Sequence, residues 1–195
     1  MAALKYYGST SSFSRVRPGV ILKSPTQVWE EKLTKEFARN FLVKRQIFDR
    51  LSDHPRIVRF TMGMQQGLLL AEASHGNLQQ YIDENNSFIP LSLRKKWCRQ
   101  TAESITNLHS LGVIHSDLRP DNFLVHATST ASLDIWLCDF GGSTCEELGL
   151  DGGHLPEAGF FDPTQEYVST PATDIFSLGS ILPCQDLSRP NYPTK

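Results

Sequence analysis

The spacing of hydrophobic residues changes from a strand-like to a helical pattern within the first 51 residues. The β-branched run Val20-Ile21-Leu22-Lys23 is typical of a strand. From residue 30 to residue 51 the apolar positions recur at helical spacing, and one face carries Leu33, Phe37, Phe41, Phe48 and Leu51. We therefore predict a strand that is followed by a long amphipathic helix, which His54-Pro55 closes.

The remaining apolar segments predict short strands, two further helices and one long loop. Strands are predicted at residues 57–60, 67–70, 123–125 and 135–138, and helices at residues 93–109 and 172–182. Residues 141–162 are rich in glycine and acidic residues, and they predict a long loop of the kind that is usually functional or mobile. Three prolines predict an unstructured tail at residues 183–195, and Pro183 is expected to end the last helix.

The composition does not change these predicted elements, but it limits the kinds of partner that are expected. Hydrophobic residues make up 39% of the chain, and Lys plus Arg number 19 against 21 for Asp plus Glu. The net charge of -2 leaves no excess of cations for a phosphate backbone, so no nucleic-acid partner is expected. No apolar run reaches the roughly 20 residues of a membrane span, and the four cysteines form no Cys-x-x-Cys pair. We therefore expect a cytoplasmic protein without a membrane partner.

Two short polar motifs carry the strongest indication of chemistry. The first is His115-Ser116-Asp117, with Asn122 five residues after the aspartate, and the second is Asp139-Phe140-Gly141. In this order and spacing they resemble the His-Arg-Asp…Asn and Asp-Phe-Gly motifs of eukaryotic-type protein kinases. The resemblance covers about residues 4–182 and implies ATP-dependent phosphoryl transfer to a Ser or Thr of a protein substrate.

The resemblance also implies an α+β, bilobal fold of the protein kinase type. Residues 1–73 would form a small β-rich N-lobe with one helix, and residues 74–182 a mainly helical C-lobe. The family places several more helices after the central C-lobe helix, whereas here the sequence predicts only the tail at 183–195. The C-lobe is therefore expected to be incomplete.

Four positions match the family's transfer and metal residues. Phosphoryl transfer depends mainly on positioning and on neutralisation of phosphate charge. By resemblance, Asp117 orients the acceptor hydroxyl and accepts its proton, and Arg119 stands where a Lys usually reaches the γ-phosphate. Asn122 and Asp139 would hold Mg²⁺, a cation that takes hard oxygen ligands and shares the substrate's phosphate oxygens.

Further positions match the nucleotide site and its support. Gly8 remains from the glycine-rich loop, and Lys23 would pair with the α- and β-phosphates of ATP. The family match makes Leu70 the gatekeeper, and the backbone from Ala71 to Ala73 would face adenine. The supporting residues in this alignment are His115, Phe140, Gly141 and Asp174, the last of which would cap backbone amides of the catalytic loop.

One position of the long helix departs from the family pattern. The alignment places Lys44 where relatives carry the Glu that pairs with Lys23, and Glu36 lies eight residues earlier on another face. Two buried ammonium groups repel unless one loses its proton, moves out, or finds a carboxylate such as Asp139 or a phosphate of ATP. We expect the ligand-free helix to be swung outward and basal transfer to be very weak, and Lys44→Glu should raise ATP affinity, activity or both.

Other departures concern regulation and the phosphate loop. Residues 9–13 replace most of the family's glycine-rich loop, which weakens the cradle for phosphate. Ser116 replaces the Arg that receives a phosphorylated activation loop in relatives, so activation by phosphorylation is not expected. The segment around Pro163 also lacks the Glu of the usual Ala-Pro-Glu motif.

Three other interpretations remain open from the sequence. The chain could be a pseudokinase that binds a nucleotide or a regulatory partner, because Lys44 stands at the ion-pair position. It could be a small-molecule phosphotransferase similar to aminoglycoside kinases, although Asp139-Phe140-Gly141 and Asp174 favour protein kinases. It could also be a non-functional kinase fragment.

Overall fold

Five antiparallel strands and one helix form the N-terminal half of the fold. The computed structural model describes residues 5–7, 11–26, 31–61, 67–130, 132–153, 155–156, 158–164 and 168–184. The elements are β1 (Lys5–Tyr7), β2 (Ser11–Arg17), β3 (Val20–Pro25), α1 (Glu31–Leu51), β4 (Phe60–Thr61) and β5 (Leu68–Ala71). The strands pair in the order β1-β2-β3-β5-β4, so that β3 is the central strand. The side chain of Lys23, which lies in this central strand, is buried and forms an ion pair with Asp139.

Helices and two hairpins form the C-terminal half. Its elements are α2 (Leu78–Asn85), α3 (Leu91–Ser110), β6 (Phe123–Ser129), β7 (Ser132–Leu137), β8 (Thr144–Cys145), β9 (Leu150–Asp151) and α4 (Pro171–Cys184). The β6–β7 hairpin packs on α3, where the Gln100 side chain accepts from the Ile135 amide at 3.1 Å. Together with the N-terminal sheet, these elements form the bilobal α+β arrangement that the sequence predicts.

Backbone hydrogen bonds and aromatic packing join the two halves next to the motifs. The Val58 amide donates to the Leu137 carbonyl at 3.0 Å, immediately before the Asp139 motif. Phe48 of α1 stacks on Phe60 at 4.9 Å between ring centroids and meets the edge of Phe140 at 5.0 Å. The fully buried Phe140 therefore fixes the position of α1 relative to the catalytic loop.

The structure differs from the sequence prediction at several elements. Helix α2 was not predicted; it begins at Leu78, and the side chain of the preceding N-cap residue Asn77 accepts from the Gln80 amide. The predicted loop at residues 141–162 contains the β8–β9 hairpin. The backbone of α4 continues through Pro183 to Cys184, so the prediction that Pro183 ends this helix is wrong. Residues 185–195 of the predicted tail lie outside the described residues.

The described helices show no membrane-spanning candidate, because none is both long and apolar enough to cross a bilayer. The longest of them, α1 and α3, carry charged residues along their length.

Replacing Gly179 with Ala is expected to stabilise the chain. Gly179 is exposed in the interior of α4, and an added Cβ would meet no atom within 4 Å. Because Ala is the better helix former, the free energy of unfolding should rise by about 0.5–1 kcal/mol. Thermal denaturation should show a higher Tm. Gly19→Ala is the control: its site is also open, but φ is +79°, so the same change should lower the Tm.

Candidate active site

The catalytic loop between α3 and β6 holds the Asp117 carboxylate in a defined orientation. Asn122 Nδ2 donates to the Asp117 carbonyl at 2.7 Å and to its Oδ2 at 3.0 Å. Arg119 Nε lies 3.8 Å from the same Oδ2. Asp117 is only 7% exposed, and its Oδ1 has no hydrogen-bond partner among the described residues. One oxygen is therefore anchored while the other remains a buried acceptor.

Asp174 of α4 fixes the backbone of the same loop. Its Oδ2 accepts from the His115 amide at 2.8 Å, and its Oδ1 accepts from the Ser116 amide at 3.0 Å. Ser116 has a φ of +68°, a conformation that a non-glycine residue adopts at a cost. The third contact, His109 Nε2 to Asp174 Oδ2 at 3.0 Å, comes from a residue that the motif comparison missed. The presence of a His in the last turn of α3 is the only sequence signal for it.

His115 connects the catalytic loop to the second motif. Its Nδ1 accepts from the Asp117 amide at 3.3 Å, and its Nε2 lies 3.0 Å from the Cys138 carbonyl. The proton of a neutral ring is therefore assigned to Nε2, the nitrogen that donates to this carbonyl. The next residue, Asp139, has a left-handed φ of +62°, a conformation that is uncommon for a residue with a side chain.

Two ammonium groups share one oxygen of Asp139. Lys23 Nζ lies 2.9 Å from Asp139 Oδ1, and Lys44 Nζ lies 3.1 Å from the same atom. Lys44 is 2% exposed, so α1 is packed inward. The expectation that the ligand-free helix is swung outward is therefore wrong. Of the ways to hold Lys44 that the sequence left open, the structure shows the contact with Asp139.

Local packing around Gly141 holds the Lys44 side chain in this place. A Cβ on Gly141 would lie 2.4 Å from Lys44 Cε and 2.9 Å from its Nζ. On the other side, Nζ lies 5.2 Å from the centroid of the Phe41 ring, within the range of a cation–π contact. Residue 141 must therefore lack a side chain for Lys44 to reach Asp139.

The close approach of these charges shifts their pKa values. Partial burial opposes ionisation of Asp139, but attraction to Lys23 and Lys44 and the hydrogen bonds from both hold the pKa of its carboxyl well below the usual range. Burial and repulsion by Lys23 lower the pKa of Lys44 to about 8, although Asp139 partly offsets them. At pH 7 the ammonium form of Lys44 therefore still predominates. Burial raises the pKa of the adjacent Cys138 thiol to about 12, so this thiol is neutral.

The residues expected to face adenine lie at the end of β5. Leu70 is partly buried, and Ala71 pairs with Val20 of β3. The Ala71 amide donates to the Arg59 carbonyl at 2.9 Å, so this amide is already bonded. Ala73 follows in the connector to α2, and Gly8 lies outside the described residues. Lys23 and Asp139 are therefore in direct contact, and Asp117 and Asn122 are hydrogen-bonded to each other in the catalytic loop. Leu70 and Ala71 lie on β5, which pairs with β3.

The fold and this arrangement define a protein kinase domain. A family model described as "Protein kinase domain" matches residues 23–193, and the chain belongs to this family. Membership favours the protein kinases over the aminoglycoside kinase-like interpretation.

Known relatives are similar over most of this chain but are longer proteins. It is 33% identical to "Dual specificity testis-specific protein kinase 2" of Rattus norvegicus, over 77% of this chain and 27% of the relative. It is 29% identical to "Probable serine/threonine-protein kinase gdt2" of Dictyostelium discoideum, over 97% of this chain and 12% of the relative. Identity to "Calcium/calmodulin-dependent protein kinase type 1" of Macrobrachium nipponense is 27%, over 91% of this chain and 54% of the relative. The chain thus spans about half or less of these relatives.

Proposed function

We propose that this chain transfers the γ-phosphate of ATP to a Ser or Thr hydroxyl of a protein substrate. The observation that carries the proposal is the Asp117 carboxylate, with Oδ2 anchored by Asn122 and Oδ1 buried without a partner among the described residues. A buried acceptor without a donor is costly, and a substrate hydroxyl supplies the missing hydrogen bond. The similarity to a dual-specificity protein kinase and to a probable serine/threonine-protein kinase supports hydroxyl residues of proteins as acceptors.

In this reaction Asp117 binds the acceptor hydroxyl, and Arg119 and Lys23 bind the phosphates of the donor ATP. The substrate oxygen forms a bond to the γ-phosphorus while the bond from that phosphorus to the β–γ bridging oxygen breaks, and ADP leaves. The hydroxyl proton passes to Asp117 Oδ1. Arg119, whose Nε lies 3.8 Å from Asp117 Oδ2, would offset charge on the γ-phosphate. Lys23, which projects from β3 and forms an ion pair with Asp139, would contact the α- and β-phosphates.

Asn122 and Asp139 are the residues that would hold Mg²⁺. Both hydrogen bonds of the Asn122 amide use Nδ2, so neither uses its oxygen, and Asp139 supplies a carboxylate. These are hard oxygen donors of the kind that Mg²⁺ prefers, and phosphate oxygens and water complete such a site. When bound, the cation would neutralise phosphate charge. The feature that differs from an ordinary magnesium site is that Asp139 Oδ1 already accepts from two ammonium groups.

The proposal is tested by measuring binding and transfer separately. The purified chain is melted with and without ATP, and incorporation of labelled γ-phosphate into a Ser/Thr-containing protein is followed. ATP at about 100 times its Kd should add about 2.7 kcal/mol to the free energy of unfolding. A folded chain that neither binds ATP nor incorporates label would contradict the proposal.

A second candidate function is nucleotide binding without transfer. The observation that favours it is the contact of Lys44 with Asp139, because this carboxylate would otherwise be open to a metal ion. The two candidates separate in the same experiment. Stabilisation by ATP together with no detectable label in the protein substrate would select the binding function.

Transfer is expected to be independent of activation-segment phosphorylation. Ser116 is uncharged and 1% exposed, and its hydroxyl has no partner among the described residues. It therefore cannot pair with a phosphate group as an Arg would. Phosphatase treatment, followed by removal of the phosphatase, should leave the transfer rate unchanged. A large fall in the rate after this treatment would show that a phosphorylated residue is required.

A further inference from the structure

The cluster around Asp139 carries more positive than negative charge. Lys23 and Lys44 each bring one positive charge, and Asp139 brings one negative charge. Within the described part of the chain, Asp139 is the only carboxylate in an ion pair with either lysine. Among the described residues of this cluster one positive charge is therefore left over, and both ammonium groups are buried. Buried charge needs a partner, so the cluster favours an incoming anion.

The same cluster is unfavourable for a divalent cation. A cation that binds Asp139 must lie close to two ammonium groups, and both of these groups are buried, where like charges repel more strongly than in bulk water. Each ammonium group already donates to Asp139 Oδ1, at 2.9 and 3.1 Å. Metal binding therefore requires the cation to use the other oxygen or to displace a lysine.

Lys44 is well placed to supply charge instead of a metal. An ammonium group has three N–H donors, and the contact with Asp139 uses one of them. Gly141 and Phe41 restrict the side chain, so its position is set before any ligand arrives. Preorganised cations of this kind neutralise phosphate without a cost of rearrangement at the moment of binding.

We propose that Lys44 takes over the charge-neutralising role of the divalent cation, so that the site binds metal-free ATP. The inference rests on the proposed function, since it concerns the same nucleotide site. It assigns Lys44 as a phosphate-binding residue and makes nucleotide affinity largely independent of Mg²⁺.

Nucleotide titration with and without metal tests this inference directly. ATP is titrated into the chain by calorimetry, once in EDTA and once in excess Mg²⁺. Wild type should bind in EDTA at least as tightly as in Mg²⁺. Lys44→Met removes the charge but keeps an apolar stem, and it should weaken binding in EDTA by about tenfold or more, the loss of one charge-assisted hydrogen bond. Binding in Mg²⁺ should fall less. Arg45→Met is the matched control, because Arg45 is exposed on the same helix.

The possible outcomes separate the inference from the proposed function. Binding of wild type only in Mg²⁺ overturns the inference and leaves the proposed function in place. Equal metal-free binding by wild type and Lys44→Met overturns the role of Lys44. An absence of binding in both conditions by a chain that melts cooperatively overturns the proposed function as well. The wild-type comparison decides the metal question even if Lys44→Met does not fold. Lys44→Glu gives a second variant, in which binding should require Mg²⁺.

Discussion

Asp117→Asn is expected to abolish phosphoryl transfer while ATP binding stays close to the wild-type value. Asn has nearly the same shape as Asp, but its amide cannot accept the proton of the substrate hydroxyl. Asp117 Oδ1 is the buried atom that the proposal assigns to this proton. General-base catalysis contributes a factor of about 10²–10⁴ to the rate, so the transfer rate should fall by a factor of about 10² or more. The measurement is the initial rate of labelled phosphate transfer at saturating ATP, alongside the Kd for ATP.

A neighbouring carboxylate provides the control for this variant. Asp121 lies in the same loop but is exposed. Asp121→Asn makes the same chemical change and should keep the wild-type transfer rate. Wild-type transfer by Asp117→Asn would remove Asp117 from the mechanism. Loss of ATP binding in that variant would instead indicate that the carboxylate supports the nucleotide site.

Part of the catalytic loop was predictable from sequence because the contact between Asn122 and Asp117 is local. Asn122 and Asp117 are five residues apart, and the two hydrogen bonds between them close within one short segment. The motif spacing therefore contains most of the geometry. Helical spacing is similarly local: Lys44 lies three residues after Phe41 and four before Phe48 on the predicted apolar face, and it is buried.

The orientation of α1 was not predictable in the same way. The prediction of an outward helix was based on repulsion between Lys23 and Lys44, because the sequence shows that two cations face each other. The inward helix depends on Asp139 Oδ1, which accepts from both ammonium groups, and Asp139 itself has a left-handed φ. Periodicity predicts neither the φ of Asp139 nor the space beside Gly141 that the Lys44 side chain occupies. Long-range contacts of this kind required the folded chain.

Short elements were missed because their signals are weak. Helix α2 is eight residues long, and its main marker is the single N-cap at Asn77. The strands β8 and β9, in which Cys145 pairs with Leu150, have two residues each, which is too short for an alternation of apolar and polar residues. Glycine and acidic residues dominate the surrounding segment, which accounts for its prediction as a loop.

Asp174→Ala is expected to cause a large loss of stability. The carboxylate accepts from two buried backbone amides, those of His115 and Ser116, and from the His109 ring. Its removal leaves both amides without an acceptor, at about 1–3 kcal/mol for each donor. The left-handed backbone at Ser116 also loses the contact that holds it. Because about 1 kcal/mol corresponds to 2–4 °C in a chain of this size, the Tm should fall by roughly 10 °C.

Two further variants show whether the carboxylate itself is responsible. Asp174→Asn keeps one acceptor oxygen, so its Tm should lie between those of wild type and Asp174→Ala, and it remains informative if Asp174→Ala does not fold. Asp83 is exposed on α2 and accepts only from the Gln79 side chain in the described structure, so Asp83→Ala should change the Tm little. Equal Tm values for Asp174→Ala and Asp83→Ala would contradict the argument. In that case the catalytic-loop amides must find acceptors other than Asp174, and the loop would be held by the Asn122 and His115 contacts instead.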